Sequence, residues 1–141
     1  MRLMKLALIL GATLLPAAAG EALAQSKQLV VELNKLEPIA NGCRTFFLFR
    51  NRTATPFTGF ELSLAVLDQK GVIDRLLTVD AAPLPAERTT LKLFEIPQTR
   101  CDAIGEILLH EIARCEMATG PVPNCFALVD LQSKGSAALT K

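Results

Sequence analysis

The sequence holds no tryptophan, no tyrosine and one histidine, His110. General acid–base or metal chemistry centred on His110 needs partners. Glu106 and Glu111 are the nearest acids in sequence, and no second half of a site is visible, so His110 reads as a surface or structural residue. No Cys-x-x-Cys pair is present, which removes the usual zinc and thiol-redox motifs. Met117 is the only methionine beyond the first 24 residues, too few for a soft-metal site. No catalytic residues, no metal ligands and no cofactor are therefore expected, and the chain does not read as an enzyme. Charge of one sign is missing as well. Beyond residue 24 the basic and acidic side chains are equal in number. That balance argues against nucleic acid and electrostatic membrane adhesion as partners, since both need a net basic face.

What is present begins at the N-terminus. Arg2 and Lys5 precede an apolar stretch from Leu6 to Ala19, and Ala22-Leu23-Ala24 follows with small residues at alternate positions. That order of charge, apolar run and small residues is a secretory signal peptide spanning 1–24. The apolar run is shorter than the about 20 residues of a membrane span. The expectation is cleavage, no membrane span afterwards, and a periplasmic or secreted protein.

All four cysteines, Cys43, Cys101, Cys115 and Cys125, lie beyond the predicted cut. An even number in an exported chain reads as disulfides. Of three pairings, Cys43–Cys101 with Cys115–Cys125 is preferred. In the chain-entropy picture the long loop contributes about 4 kcal/mol and the short one about 3.

The rest alternates between short apolar segments and turn clusters, the pattern of an all-β sandwich or barrel. Leu29, Val31 and Leu33 alternate with Val30, Glu32 and Asn34 and form a first strand, broken at Pro38 to Gly42. Cys43 to Asn51 is a second, with Phe46, Phe47, Leu48 and Phe49 unbroken. Phe60, Leu62, Leu64 and Val66 share one face of a third. Asp68 to Gly71 is a hairpin turn into a fourth strand, Val72 to Val79. Thr89 to Ile96 is a fifth. Residues 104–113 are ambiguous: their apolar spacing fits a helix, but the surrounding pattern needs a sixth strand, and strand is preferred. Phe126 to Leu131 is the last strand. The expected fold is an antiparallel sandwich of about seven strands over 25–132, followed by a flexible tail, 133–141.

Strand count, hairpin spacing and length resemble an immunoglobulin-like sandwich. The missing Trp and Tyr remove the antibody type, which stacks Trp on its bridge and uses a tyrosine corner. Phe49-Arg50-Asn51-Arg52-Thr53, the Phe60–Leu67 strand, Asp68-Gln69-Lys70-Gly71 and Pro83-Leu84-Pro85 are similar to the recurring pattern of small exported bacterial domains of immunoglobulin-like or FxLYD-like type. The resemblance covers most of the chain beyond the leader. It implies a β-sandwich, a Gram-negative periplasm and no general catalytic activity.

The remaining candidates are weak by pattern. Asn51-Arg52-Thr53 matches a glycosylation sequon but reads as a turn whose side chains bond their own backbone. Arg50-x-Arg52 and Glu87-Arg88 read as solvated loop ends rather than an anion site. Phe47 and Phe49 are the candidate interaction face; the alternative has Phe46 and Leu48 filling the core with Phe47 and Phe49 under a loop. The functional expectation is a periplasmic, non-enzymatic protein-interaction module or accessory subunit, partnered by another envelope or periplasmic protein. The alternatives are a small-ligand or metal carrier and a secreted inhibitor or effector.

Overall fold

Residues 28–141 are described by a computed structural model. The predicted signal peptide and its cut lie outside the described residues.

The first strand, β1 (Leu29–Ile39), buries Leu29, Val31 and Leu33 on one side, as their period of two requires. A bulge at Asn34 resets the register, and β1 then runs on through Pro38 instead of breaking there. A tight turn at Ala40-Asn41 leads into β2 (Gly42–Asn51), antiparallel to β1. Gly42 is obligatory here: a Cβ would lie 2.2 Å from the Ile96 carbonyl oxygen. Next come β3 (Phe57–Asp68) and β4 (Ile73–Asp80), joined by the predicted hairpin. Asp68 closes that turn by accepting the amides of Lys70 and Val72 on Oδ1, while Gly71 takes φ 78°. The chain continues as β5 (Arg88–Pro97), a 3-10 turn at Cys101–Ala103, β6 (Ile104–Met117), the two-residue β7 (Gly120–Pro121), a single helical turn α1 (Cys125–Leu128), β8 (Val129–Ser133) and β9 (Ala138–Thr140).

These strands form two sheets. One has the order β5-β2-β1-β8, the other β4-β3-β6-β7 with β9 also on β6. Leu62, Leu64 and Val66 of β3 meet Leu29, Val31, Leu33, Phe47 and Phe49 of the first sheet in one core. With no Trp available, phenylalanine rings fill the centre. Phe49 and Phe60 meet edge to face across the sheets at 6.2 Å, and Phe57 and Phe60 at 5.6 Å. The protein is thus an all-β sandwich, as expected.

Several local expectations change. Nine strands are described rather than about seven. Residues 104–113 are strand: β6 pairs with β3 through a ladder with several register shifts, which is why its apolar residues drift from strict alternation toward helical spacing. Phe126 belongs to α1 and not to the last strand. Two pairings, β1 with β8 and β6 with β9, are parallel. The stretch 133–141 is not a loose tail. Ala137 and Leu139 are buried in the core, and β9 pairs with residues 106–108 of β6. Short, small side chains carry too little apolar signal to announce that strand.

Both expected disulfides are present, Cys43–Cys101 and Cys115–Cys125. The first ties the start of β2 to the crossing between sheets after β5. The second ties β6 to α1. Two disulfides point to an oxidising, extracytoplasmic setting. No helix among the described residues is long and apolar enough to cross a membrane.

Candidate interaction surface

In β2 the burial alternates without a break: Cys43, Thr45, Phe47, Phe49 and Asn51 are buried, and their neighbours are half-exposed. Phe47 and Phe49, 1% and 0% exposed, therefore belong to the core and form no interaction face. Phe46 and Leu48 do not fill the core either; they lie on the outer face. An unbroken apolar run hides its own parity. The disulfide could have revealed it: Cys43 bonds inward, so every second residue from it must point inward too.

The outer face of this sheet carries an apolar block. Leu48 stands opposite Leu91, and Phe46 opposite Leu93. Leu91 and Leu93 are 52% and 48% exposed, on β5, the sheet's unpaired edge. Each boundary of the block is charged. On one side Arg44 is opposite Glu95, donating through Nη2 at 3.0 Å, and its Nη1 reaches Glu37 at 3.5 Å. Lys35 donates to Glu37 at 2.7 Å and its ammonium also lies 5.2 Å from the Phe46 ring centroid. The hydrogen bond and charge of Lys35 hold the Glu37 carboxyl below its usual range, despite some desolvation. On the other side Arg50 stands opposite Thr89 and donates to Glu32 at 3.0 Å.

Glu32 is the unusual member, 1% exposed in the middle of β1. Asn34 Nδ2 donates to its carboxylate at 2.8 Å and Arg50 to the other oxygen. The Asn34 hydrogen bond lowers its pKa most; burial opposes this, and the bond and charge of Arg50 reinforce it.

A second apolar area sits at the edge of the other sheet, where Val72, Ile73 and Leu76 are exposed. His110 is exposed on β6 at a register shift and lines a shallow hollow with Phe126 and the Cys115–Cys125 bridge. Four residues along a strand span about 13 Å, so Glu106 and His110 cannot share one metal ion. Glu106 is instead bonded by Thr140 across the β6–β9 pair. Among the described residues no three His, Cys, Asp or Glu side chains converge on a metal-sized site. A cleft of about 590 Å³ opens at one end of the sandwich, lined by Leu36, Ile39, Asn41, Gln98 and Arg100 beside Cys101.

The sequon is a structural turn. Asn51, 2% exposed, accepts from the Thr53 amide and hydroxyl at 3.0 and 2.7 Å. Its Nδ2 donates to the carbonyls of Thr55 and Leu84, so the nitrogen a glycan would need is buried and in use.

Two facing sheets around a phenylalanine-rich core place the chain among the β-sandwich proteins. Among solved structures it is similar to IrmA from Escherichia coli, with a TM-score of 0.56 and 14% identity over 73% of this chain and 89% of that one. At that identity the likeness concerns the fold alone. No protein-family model and no curated protein sequence matches the chain.

Proposed function

We propose that this protein is a non-enzymatic, periplasmic protein-binding module of immunoglobulin-like class, serving as an accessory subunit of an envelope complex. The observation that carries the reading is the Phe46–Leu48–Leu91–Leu93 block, which spans β2 and the open edge strand β5. Large apolar side chains left half in water on an edge, with charged borders, are the composition of a contact patch with a polar rim. The signal-like N-terminus and the disulfides support export.

The test is a photo-crosslinking amino acid placed at Leu93, with Glu111 on the outer face of the other sheet as control, in cells with an intact envelope. The expected result is one discrete crosslinked envelope protein from position 93, none from 111, and loss of the adduct on adding Leu91→Ser. Equal labelling from both positions, or none from a folded protein, rules the surface out. A second reading, a small-ligand carrier, is favoured by the end cleft beside Cys43–Cys101. It predicts a small molecule co-purifying with native protein and released by filling the cleft with Gln98→Trp.

A further inference from the structure

The two arginine clusters, separate in the sequence, meet in space. Arg50, Asn51 and Arg52 join Glu87, Arg88 and Thr89 around one hollow of about 370 Å³ at the end of the β2–β5 pair. The register does this: Asn51 is opposite Arg88 and Arg50 opposite Thr89.

Pairing sets this hollow apart from the rest of the surface. Arg44, Arg50, Arg75, Arg100 and Arg114 each hold a carboxylate. Arg52 and Arg88 hold none among the described residues, and both line the hollow. Glu87 is close by yet forms no ion pair with either. Two arginines without a carboxylate partner thus line one hollow beside a third whose charge is met by Glu32.

The frame beneath them is rigid. Arg52 is carried by the turn that buried Asn51 braces, and its amide donates to the Gln28 carbonyl at 2.9 Å. The Glu87 amide donates to the Thr53 carbonyl at 3.0 Å, tying the Arg88 segment to the same turn. Little backbone freedom remains to be lost when a ligand binds, which favours affinity from few contacts.

We propose that this hollow is a binding site for a phosphomonoester, gripped by Arg52 and Arg88 with Thr89 and Arg50 at its margin. Guanidinium forks match the oxygens of a tetrahedral oxyanion, and a phosphomonoester presents several oxygens and close to two charges to two uncompensated cations. The Glu87 carboxylate on the rim opposes anion binding, and the two guanidinium groups must outweigh it. Arg52 and Arg88, which carry the proposal, lie outside the Leu91–Leu93 surface; Arg50 and Thr89 border both.

The test is an NMR titration of the folded protein with phenyl phosphate and with inorganic phosphate, against chloride at matched ionic strength. Saturable shifts at Arg52, Arg88 and Thr89 are expected with the phosphates and not with chloride. Arg52→Ser combined with Arg88→Ser should weaken binding by roughly tenfold or more with melting unchanged. Arg50 is left intact because it neutralises Glu32. Glu87→Gln should tighten phosphate binding several-fold, with chloride at matched ionic strength still giving no saturable shifts. Co-sedimentation with phosphatidic acid vesicles, with phosphatidylcholine as blank, separates the sources: capture that phenyl phosphate competes away assigns a membrane-borne phosphate, and binding of free phosphates without capture assigns a soluble one. Absence of saturable shifts with both phosphates, or shifts unchanged in the double variant, overturns the proposal.

Discussion

Two buried polar side chains show what single residues contribute. Asn51 replaces several backbone bonds at a point where the chain leaves one sheet for the other, and all its polar capacity is used inside. Asn51→Ala removes four hydrogen bonds and takes the acceptor from the Thr53 amide, while the Thr55 and Leu84 carbonyls keep the Thr53 hydroxyl and the Phe57 amide; the cost should be about 2–3 kcal/mol, which a denaturation midpoint would read. Glu32 behaves differently because it titrates. Its folded pKa lies below the unfolded value, so its contribution to stability is complete above the ordinary carboxylate range and is lost as pH falls through the depressed folded pKa. Glu32→Gln should therefore lower stability near neutral pH and flatten the acid limb of the stability profile. An unchanged acid limb in that variant would show that other carboxylates carry the acid sensitivity.

At the scale of elements, the disulfides fix parts that pairing alone holds poorly. Cys43–Cys101 spans 58 residues and anchors the 3-10 turn between the sheets; Cys115–Cys125 spans 10 and fastens one helical turn. Replacing the first pair by Ser should cost about 4 kcal/mol and the second about 3, compared by chemical denaturation. The loss at the first pair should be the larger also because Cys43 is fully buried. These elements differed in how readable they were. The Phe60–Val66 alternation announced β3 because one face is apolar and the other polar. Phe46 to Phe49 announced a strand but not its orientation, since both faces are apolar, one for the core and one for the exposed block. That same ambiguity put the candidate face on Phe47 and Phe49, one residue out of phase. The short C-terminal strands were the least legible. A two-residue β7 and a three-residue β9 have no period to detect, and parallel partners far away in sequence hold β8 and β9 in place. The arginine hollow was equally hidden, because only the β2–β5 register brings its halves together.

On the scale of the whole molecule, each sheet ends in an unpaired strand, β5 in one and β4 in the other. An open edge with leucines on its outer face invites pairing with further copies. β5 carries a countermeasure. Lys92 falls on the core-facing side of the strand, between Thr90 and Phe94, and donates through Nζ to the Ala82 carbonyl at 3.2 Å. A second β5 pairing antiparallel to this one, centred on residue 92, would set two such ammonium groups against each other at the edge. That placement lets the outer leucines stay available to a chosen partner while opposing edge-to-edge growth. Lys92→Val keeps the β propensity, removes the charge and should raise self-association, seen as larger species by sedimentation velocity at a concentration where the parent shows none. Lys92→Arg, which keeps the charge, should behave like the parent. If the valine variant sediments as the parent does, the edge is guarded by its twist or by the neighbouring loop, and the inward lysine is there only to hold Ala82.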